Sequence, residues 1–568
     1  MRYHVLASDY DETLATHGQL PDSTRKALER LRRSGRQAVL VTGRRVDDLL
    51  PSCPDLSPFE VVVAENGAVL YRPATKERRV LTEPPPAAFV ERLRALGVND
   101  LAVGQVVVAT WQPHESAVLT AIRELGLELQ VIFNKGAVMV LPSGVNKATG
   151  LAAALSALGY SPHEAVAVGD AENDHALLAF CECGVAVQNA LPTLKERADL
   201  VTRAERSAGV EELIGRLLEN DLADLSPALA RHDIPIGTAR SGAVETLPAY
   251  GSTTLLAGTS GAGKSTLVTA FAEQLGERGY QFCILDPEGD YSGVPGAAVV
   301  GDRQSAPTVA EVLKLLELAT AHLVVNLVAI GIENRPAFFE ELLPQLQGFR
   351  ARRGRPHFII LDETHHLAGN DARSSAARSG DWSNVLLVTV HPKHVSDALL
   401  AHVDTLLVLG AAPAETFSEF AASVGEQPPA LGVGSLDVGE LLLWRRGERE
   451  ARPLRTIEPA TERKRHARKY AAGDLEDCSF YFRGPKNELN LRAQNLQVFL
   501  QMADGVDDAT WRHHLERGDY VRWMRECIKD EGLADEVAGL VREGGQLSPR
   551  ETRAAVRGAI ERRYTAPA

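Results

Sequence analysis

Cysteine is scarce in this chain, six in 568 residues, and no paired Cys-x-x-Cys motifs occur. That scarcity speaks against a disulfide framework or a thiolate zinc module and fits a reducing compartment, with Cys181 and Cys183 as small packed residues. Long apolar runs are also lacking: the longest, around His322 to Ile332, falls short of the ~20 residues a membrane helix needs. The N-terminus holds no apolar core followed by a small-residue cleavage site, so a cytoplasmic protein with no membrane span is expected. Positive charge is in deficit, 61 Lys and Arg against 75 Asp and Glu, for a net charge of −14. Nucleic-acid binding over the whole surface is therefore disfavoured, although a local basic lining would escape that average.

What is present is ordinary folded-protein composition, 45% hydrophobic and 24% charged, in a chain long enough for several cores. Apolar runs such as Gln37 to Val41, Glu60 to Val63 and Ala165 to Val168 alternate with amphipathic stretches, which predicts an α/β unit over 1–220. A junction near 220–237 leads to a second α/β unit over 234–455. The charge-dense stretch 445–469, with Pro453 and Pro459, reads as a linker or an arm. Residues 470–568 are expected to form a small, mainly helical domain with Phe480, Tyr481, Phe482, Trp511, Tyr520 and Trp523 in its core.

The apolar run Val5-Leu6-Ala7 delivers Asp9 and Asp11 to a strand's C-terminal end, where open α/β sheets bind ligands. A carboxylate nucleophile at Asp9 would split phosphoester hydrolysis into two steps, with Asp11 as general acid and then general base. Together with Val39 to Arg44, Lys147 and the block Gly169 to Asp174, these residues resemble the four motifs of the haloacid dehalogenase (HAD) phosphatases. The resemblance implies a Rossmann-like core, phosphoryl contacts from Thr42 and Lys147, and Mg²⁺ on Asp9, Asp170, Asp174 and the backbone carbonyl of Asp11. It further implies an inserted α/β cap, placed at about 71–141, and a small phosphorylated metabolite as substrate. Trp111, His114 and Lys135 of the cap are within the reach of substrate in principle, but none is assigned a specificity role.

Thr253 to Ala257 reads as a strand running into Gly258-Thr259-Ser260-Gly261-Ala262-Gly263-Lys264-Ser265, with Thr266 opening a helix: a P-loop for ATP. Gly258, Gly261 and Gly263 let the backbone wrap phosphates, Lys264 neutralises them, Ser265 offers a hydroxyl to Mg²⁺, and Thr266 adjoins the same contacts. His357 to Leu361 is a buried-strand pattern ending in Asp362, for the metal's water shell, and Glu363, placed to activate water. The block Ile284 to Tyr291 and the run Leu361 to Leu367 resemble the HerA and FtsK motor ATPases, which have RecA-like folds. That likeness implies a homo-oligomer, a hexamer in the usual case, with an arginine supplied in trans from 350–355 or 463–468. The usual glutamine sensor is not matched after Leu386 to Thr389, where Thr389 or His391 could substitute; His365 and His366 are expected to have ordinary hydrogen-bonding roles.

The function expected is a Mg²⁺-dependent phosphatase with an ATPase that assembles or regulates it. Two alternatives are a hexameric DNA translocase with an accessory phosphatase and a paired kinase and phosphatase.

Overall fold

The computed structural model describes residues 1–369, 380–460, 475, 478–528, 530–543 and 547–564. The chain divides into two compact units, 1–457 and 458–568. In the first, the fully buried strand Val5–Asp9 lies parallel between Ala165–Gly169 and Gln37–Val41, at the middle of an eight-stranded sheet. Burial on both faces is why these strands read as continuous apolar runs rather than alternating ones.

A separate four-stranded antiparallel sheet spans Ala102–Val103, Val108–Trp111, Ala137–Pro142 and Leu129–Asn134. With helices Ala87–Ala95 and Glu115–Leu125 it encloses its own core around Phe89, Leu93, Val118 and Val140. This insert begins later than the cap expected at 71–141. Val69–Arg72 and Glu77–Val80 form a hairpin on the edge of the main sheet, through pairing of Val69–Arg72 with Val61–Ala64. Only that long-range pairing decides which sheet the hairpin joins.

The second large sheet holds twelve strands. Its parallel centre sets Thr253–Gly258 beside Val385–Thr389, followed by Phe358–Leu361 and Phe282–Asp286. Parallel strands end on one side, so the residues after Gly258, Asp286, Leu361 and Thr389 converge on a single ligand edge. The two large sheets meet through the opposite ends of their strands. The turn before Ala165–Gly169 packs on the residues just before Phe282–Asp286 and Phe358–Leu361. Each sheet's ligand edge therefore faces away from that junction.

The second unit pairs Phe480–Phe482 with Leu491–Ala493 and adds helices between Leu496 and Tyr564. Phe480, Phe482, Trp511, Tyr520 and Trp523 are buried together, so these aromatics form core rather than a stacking surface. The basic stretch 463–468 lies outside the described residues. Among the described residues no helix is long and apolar enough to cross a membrane.

Candidate active sites

Asp9 ends the central strand of the first sheet, and Lys147 meets it from the start of helix Lys147–Leu158. The helix is fixed there by its cap: Asn146 Oδ1 accepts from the backbone N–H groups of Ala148 and Thr149 at 2.9 and 3.1 Å. Lys147 Nζ donates to Asp9 Oδ1 at 2.5 Å and to Asp174 Oδ1 at 2.7 Å, all three side chains being buried. The other Asp174 oxygen accepts from the backbone N–H groups of Asp170 and Ala171, both at 3.0 Å. Burial pushes the Asp9 carboxyl up, and Lys147 opposes that shift. Burial by itself would lower Lys147, but the charges of Asp174 and Asp9 overcome it and keep the ammonium charged.

Carboxylate oxygens of Asp9, Asp170 and Asp174 lie within 4.8 Å of one another, a hard-oxygen set that suits Mg²⁺. A cation already sits against one member of that set. Lys135 Nζ, from the turn between Leu129–Asn134 and Ala137–Pro142, lies 2.7 Å from Asp170 Oδ2 and 3.4 Å from the Asp11 carbonyl oxygen. The insert thus reaches the carboxylate cluster with this lysine. Its loop is clamped as well, because the Glu65 carboxylate accepts from the backbone N–H groups of Gln105, Val106 and Val107 at 2.8–2.9 Å.

Asp11 is held differently. Arg44 Nε and Nη2 bind its two carboxylate oxygens at 2.8 and 2.5 Å, and Arg44 Nη1 donates to Ser52 Oγ at 3.0 Å. The buried Thr42 hydroxyl oxygen accepts from the Arg44 backbone N–H at 3.1 Å. Neither Arg44 nor Glu65 was assigned a site role from the sequence. Arg44 sits within the second motif, so its place beside the Asp9 strand was the available signal.

Gly67 is the closest approach in this site. It has φ +109°, and a Cβ there would come within 1.9 Å of the Asn146 carbonyl oxygen. Gly67→Ala should therefore displace the cap of the Lys147 helix and lower stability by about 2 kcal/mol or more, measured as a lower midpoint in urea. An unchanged midpoint would mean that the helix start yields without cost.

In the second sheet, Gly258, Gly261 and Gly263 have φ of 157°, 76° and 96°, and a Cβ on Gly258 would come within 2.3 Å of the Leu409 carbonyl oxygen. Lys264 Nζ donates to the carbonyl oxygens of Gly258 and Thr259 at 2.9 and 3.2 Å, and burial lowers its pKa. Ser265 Oγ donates to Asp290 Oδ2 at 3.1 Å. Asp290 was not singled out from the sequence. Asp286 places it, accepting the backbone N–H groups of Gly289, Asp290 and Tyr291 at 2.8–3.0 Å. Thr266, the next residue, lies within the helix Lys264–Glu277.

Asp362 is buried, and burial first, then Glu363, pushes its carboxyl well up. Glu363 has φ +40°, a conformation uncommon for a residue with a side chain, and its carboxylate feels the charge of Lys264. Thr389 ends the strand between the P-loop strand and the Asp362 strand, and its hydroxyl lies 3.3 Å from His365 Nδ1, itself 3.3 Å from Glu363 Oε2. Burial, then His366, His394 and His391, lower His365 to about 4, so near neutral pH its ring does not neutralise Glu363.

Within the basic run 350–355, Arg352 and Arg353 are exposed, whereas Arg350 and Arg355 are not. Arg350 donates to the carbonyl oxygens of Pro356 and Ser383, and Arg355 pairs with Glu164 at 3.1 Å, so both are engaged within their own chain. Packing at the junction consumes them, which the sequence pattern alone did not reveal.

A family model of haloacid dehalogenase-like hydrolases matches residues 6–96 and 100–214, and one of an AAA domain matches 249–392. A phosphoglycolate phosphatase of Haloarcula marismortui is 35% identical over 218 residues, covering 37% of this chain and 95% of the relative. Another from Methanothermobacter thermautotrophicus is 29% identical over 223 residues, covering 38% of this chain and 98% of the relative. Among solved structures, a haloacid dehalogenase-like hydrolase from Bacteroides thetaiotaomicron aligns with a TM-score of 0.34 and 20% identity, over 38% of this chain and 100% of that one.

Proposed function

Since the chain belongs to the haloacid dehalogenase-like hydrolases through residues 6–214 and carries an AAA domain behind them, we propose a Mg²⁺-dependent phosphomonoester hydrolase regulated by its own ATP-hydrolysing domain. The observation that carries the phosphatase half is the convergence of Asp9 and Asp174 on Lys147 Nζ, with Asp170 beside them. An Asp9 oxygen attacks phosphorus and the P–O bond to the alcohol breaks, leaving an aspartyl phosphate. Asp11, once free of Arg44, gives the alcohol its proton and later takes one from the water that releases phosphate and restores Asp9. Lys147 and Thr42 hold the phosphoryl oxygens meanwhile. Mg²⁺, held by Asp9, Asp170, Asp174 and the Asp11 carbonyl, would offset the repulsion between an anionic nucleophile and an anionic ester.

A small phosphorylated acid is the substrate class we favour. The curated relatives are phosphoglycolate phosphatases, and the Lys135 ammonium stands at the reaction centre ready to face a carboxylate. Phosphoglycolate, sugar phosphates, nucleotides and 5′-phosphorylated DNA should be compared by phosphate release. EDTA is expected to abolish turnover and Mg²⁺ to restore it, with phosphoglycolate the best of the four; full activity in EDTA overturns the metal-dependent reading, and a preference for DNA ends favours the translocase alternative.

The ATPase half rests on Lys264, Ser265, Asp362 and Glu363 sharing one sheet edge. Kinship with the HerA-like motors and assembly into a ring, a hexamer in that group, belong to the same proposal. So does a cytoplasmic location, for which the scarcity of cysteine, six in 568 residues, speaks.

A further inference from the structure

The junction between the two sheets is built from the far ends of elements that carry both active sites. On the phosphatase side it is the turn Ser161-Pro162-His163-Glu164. This turn feeds directly into strand Ala165–Gly169, and the next residues are Asp170 and Asp174. It is stiff: Ser161 Oγ accepts from the His163 backbone N–H at 3.2 Å, and the Glu164 carboxylate accepts from the Ser161 N–H at 3.0 Å.

On the nucleotide side two elements end on that turn. Helix Lys264–Glu277 starts at the phosphate-binding lysine, and the carbonyl oxygen of the next residue, Arg278, lies 2.7 Å from His163 Nε2. Strand Phe358–Leu361 ends at Asp362 and Glu363 and is preceded by Arg355 and His357, whose side-chain nitrogens lie 3.1 and 3.5 Å from Glu164 Oε1. The helix is about 21 Å long at 1.5 Å per residue and each strand about 13–17 Å at 3.3 Å per residue, so the junction lies roughly midway between the two sites.

The chemistry of this contact is not that of passive packing. Both ring nitrogens of His163 face oxygen acceptors, the Arg278 carbonyl oxygen and Glu182 Oε2, each at 2.7 Å. That ring lies flat on Tyr280, centroids 3.7 Å apart, and the Tyr280 hydroxyl donates to the same Glu182 oxygen at 2.9 Å. Burial works against the Glu182 charge, yet the bond from His163 and the charges of Arg2, His163 and His232 hold this carboxyl far below the usual range.

Beside it the Glu164 contacts are unfinished. Glu164 Oε1, Arg355 Nε and His357 Nε2 are buried within ion-pair distance, but none is aligned in a hydrogen bond. A small rotation at the start of either strand would align them. That alignment would give the junction the second arrangement that coupling between distant sites requires. The driving motion begins at Lys264: its Nζ must leave the Gly258 and Thr259 carbonyl oxygens to reach phosphate, and it stands at the head of the helix that ends on His163.

We propose that nucleotide bound at the P-loop controls phosphoester hydrolysis within the same chain through the His163–Glu164 turn. The proposal rests on the reading of the two sites given above and adds the route between them.

The test uses the full chain, with p-nitrophenyl phosphate as phosphatase substrate and ATP, ADP or a non-hydrolysable ATP analogue as effector. Nucleotide is expected to change kcat/KM for the ester by about fivefold or more, the ordinary size of such couplings. His163→Ala and His163→Gln should bring that ratio close to one while leaving basal phosphatase and basal ATPase rates within about twofold, since His163 touches neither reaction centre. Should both variants fold poorly, reciprocity in the otherwise unaltered Asp9→Asn chain decides. There the ester should shift the affinity for the ATP analogue by the factor that nucleotide shifts ester affinity. Coupling undiminished in folded His163 variants, or none in the native chain when both activities are present, overturns the proposal; absence of one activity overturns the underlying reading instead.

Discussion

Asp9→Asn is expected to abolish phosphoester hydrolysis, by at least about 10³-fold, because the covalent route loses the oxygen that attacks phosphorus. The substitution is nearly isosteric and keeps the strand in place, so the loss reads chemistry more than folding. One consequence needs a control. Asp9 is a charge partner of Lys147 at 2.5 Å, and its removal leaves the buried ammonium with Asp174 alone. Part of the effect could therefore be a displaced lysine. Comparing the urea midpoints of Asp9→Asn and the native chain separates the two, since a displaced buried charge lowers stability. Asp11→Asn should lose about 10²–10⁴-fold, less with p-nitrophenyl phosphate, whose leaving group hardly needs a proton. ATP hydrolysis should survive in both, because the P-loop edge faces away from this site. Retained phosphatase turnover in Asp9→Asn would end the covalent mechanism.

The residues that carry chemistry were legible because each lies at the end of an apolar strand or at the start of a helix, in a short contiguous motif. Asp9, Asp170 and Asp174 come together because the strands Val5–Asp9 and Ala165–Gly169 are parallel neighbours, an arrangement that the likeness to the HAD phosphatases implies and that the pattern of apolar runs does not. What escaped reading depends on contacts distant in sequence. The clamp of Arg44 on Asp11, the hydrogen bonds from Gln105, Val106 and Val107 to Glu65 and the approach of Lys135 to Asp170 join separate segments whose spacing carries no signature. The cap boundary failed for the same reason, since a short alternating hairpin fits either sheet. Arg350 and Arg355 differ from the exposed Arg352 and Arg353 of the same run because carbonyl oxygens and Glu164 engage them, contacts that join distant segments.

On the nucleotide side, Glu363→Gln should slow ATP hydrolysis by about 10²–10⁴-fold with little change in ATP affinity, as expected when only the water-activating group is lost. The structure favours this separation. Glu363 Oε2 is buried without a hydrogen-bond partner, and the neutral His365 nearby does not tie it down. Burial holds the Glu363 carboxyl up and Lys264 pulls it back, so the carboxylate sits in the sheet edge as a base waiting for water. Lys264→Ala should instead lose ATP binding, because its Nζ supplies the charge that the phosphates meet. Equilibrium binding of a fluorescent ATP analogue beside steady-state phosphate release distinguishes the two variants; equal loss of binding in both would contradict the roles assigned. The same pair of variants tests the ring. If each ATP site is completed by a neighbouring subunit, mixing Glu363→Gln with native chains should depress activity below the value dilution gives, because a blocked subunit also disturbs its neighbour. Strictly proportional activity at every mixing ratio, with a monomer mass in ATP and Mg²⁺, would leave a self-contained switch in each chain, and the His163 junction would then be the means by which that switch acts.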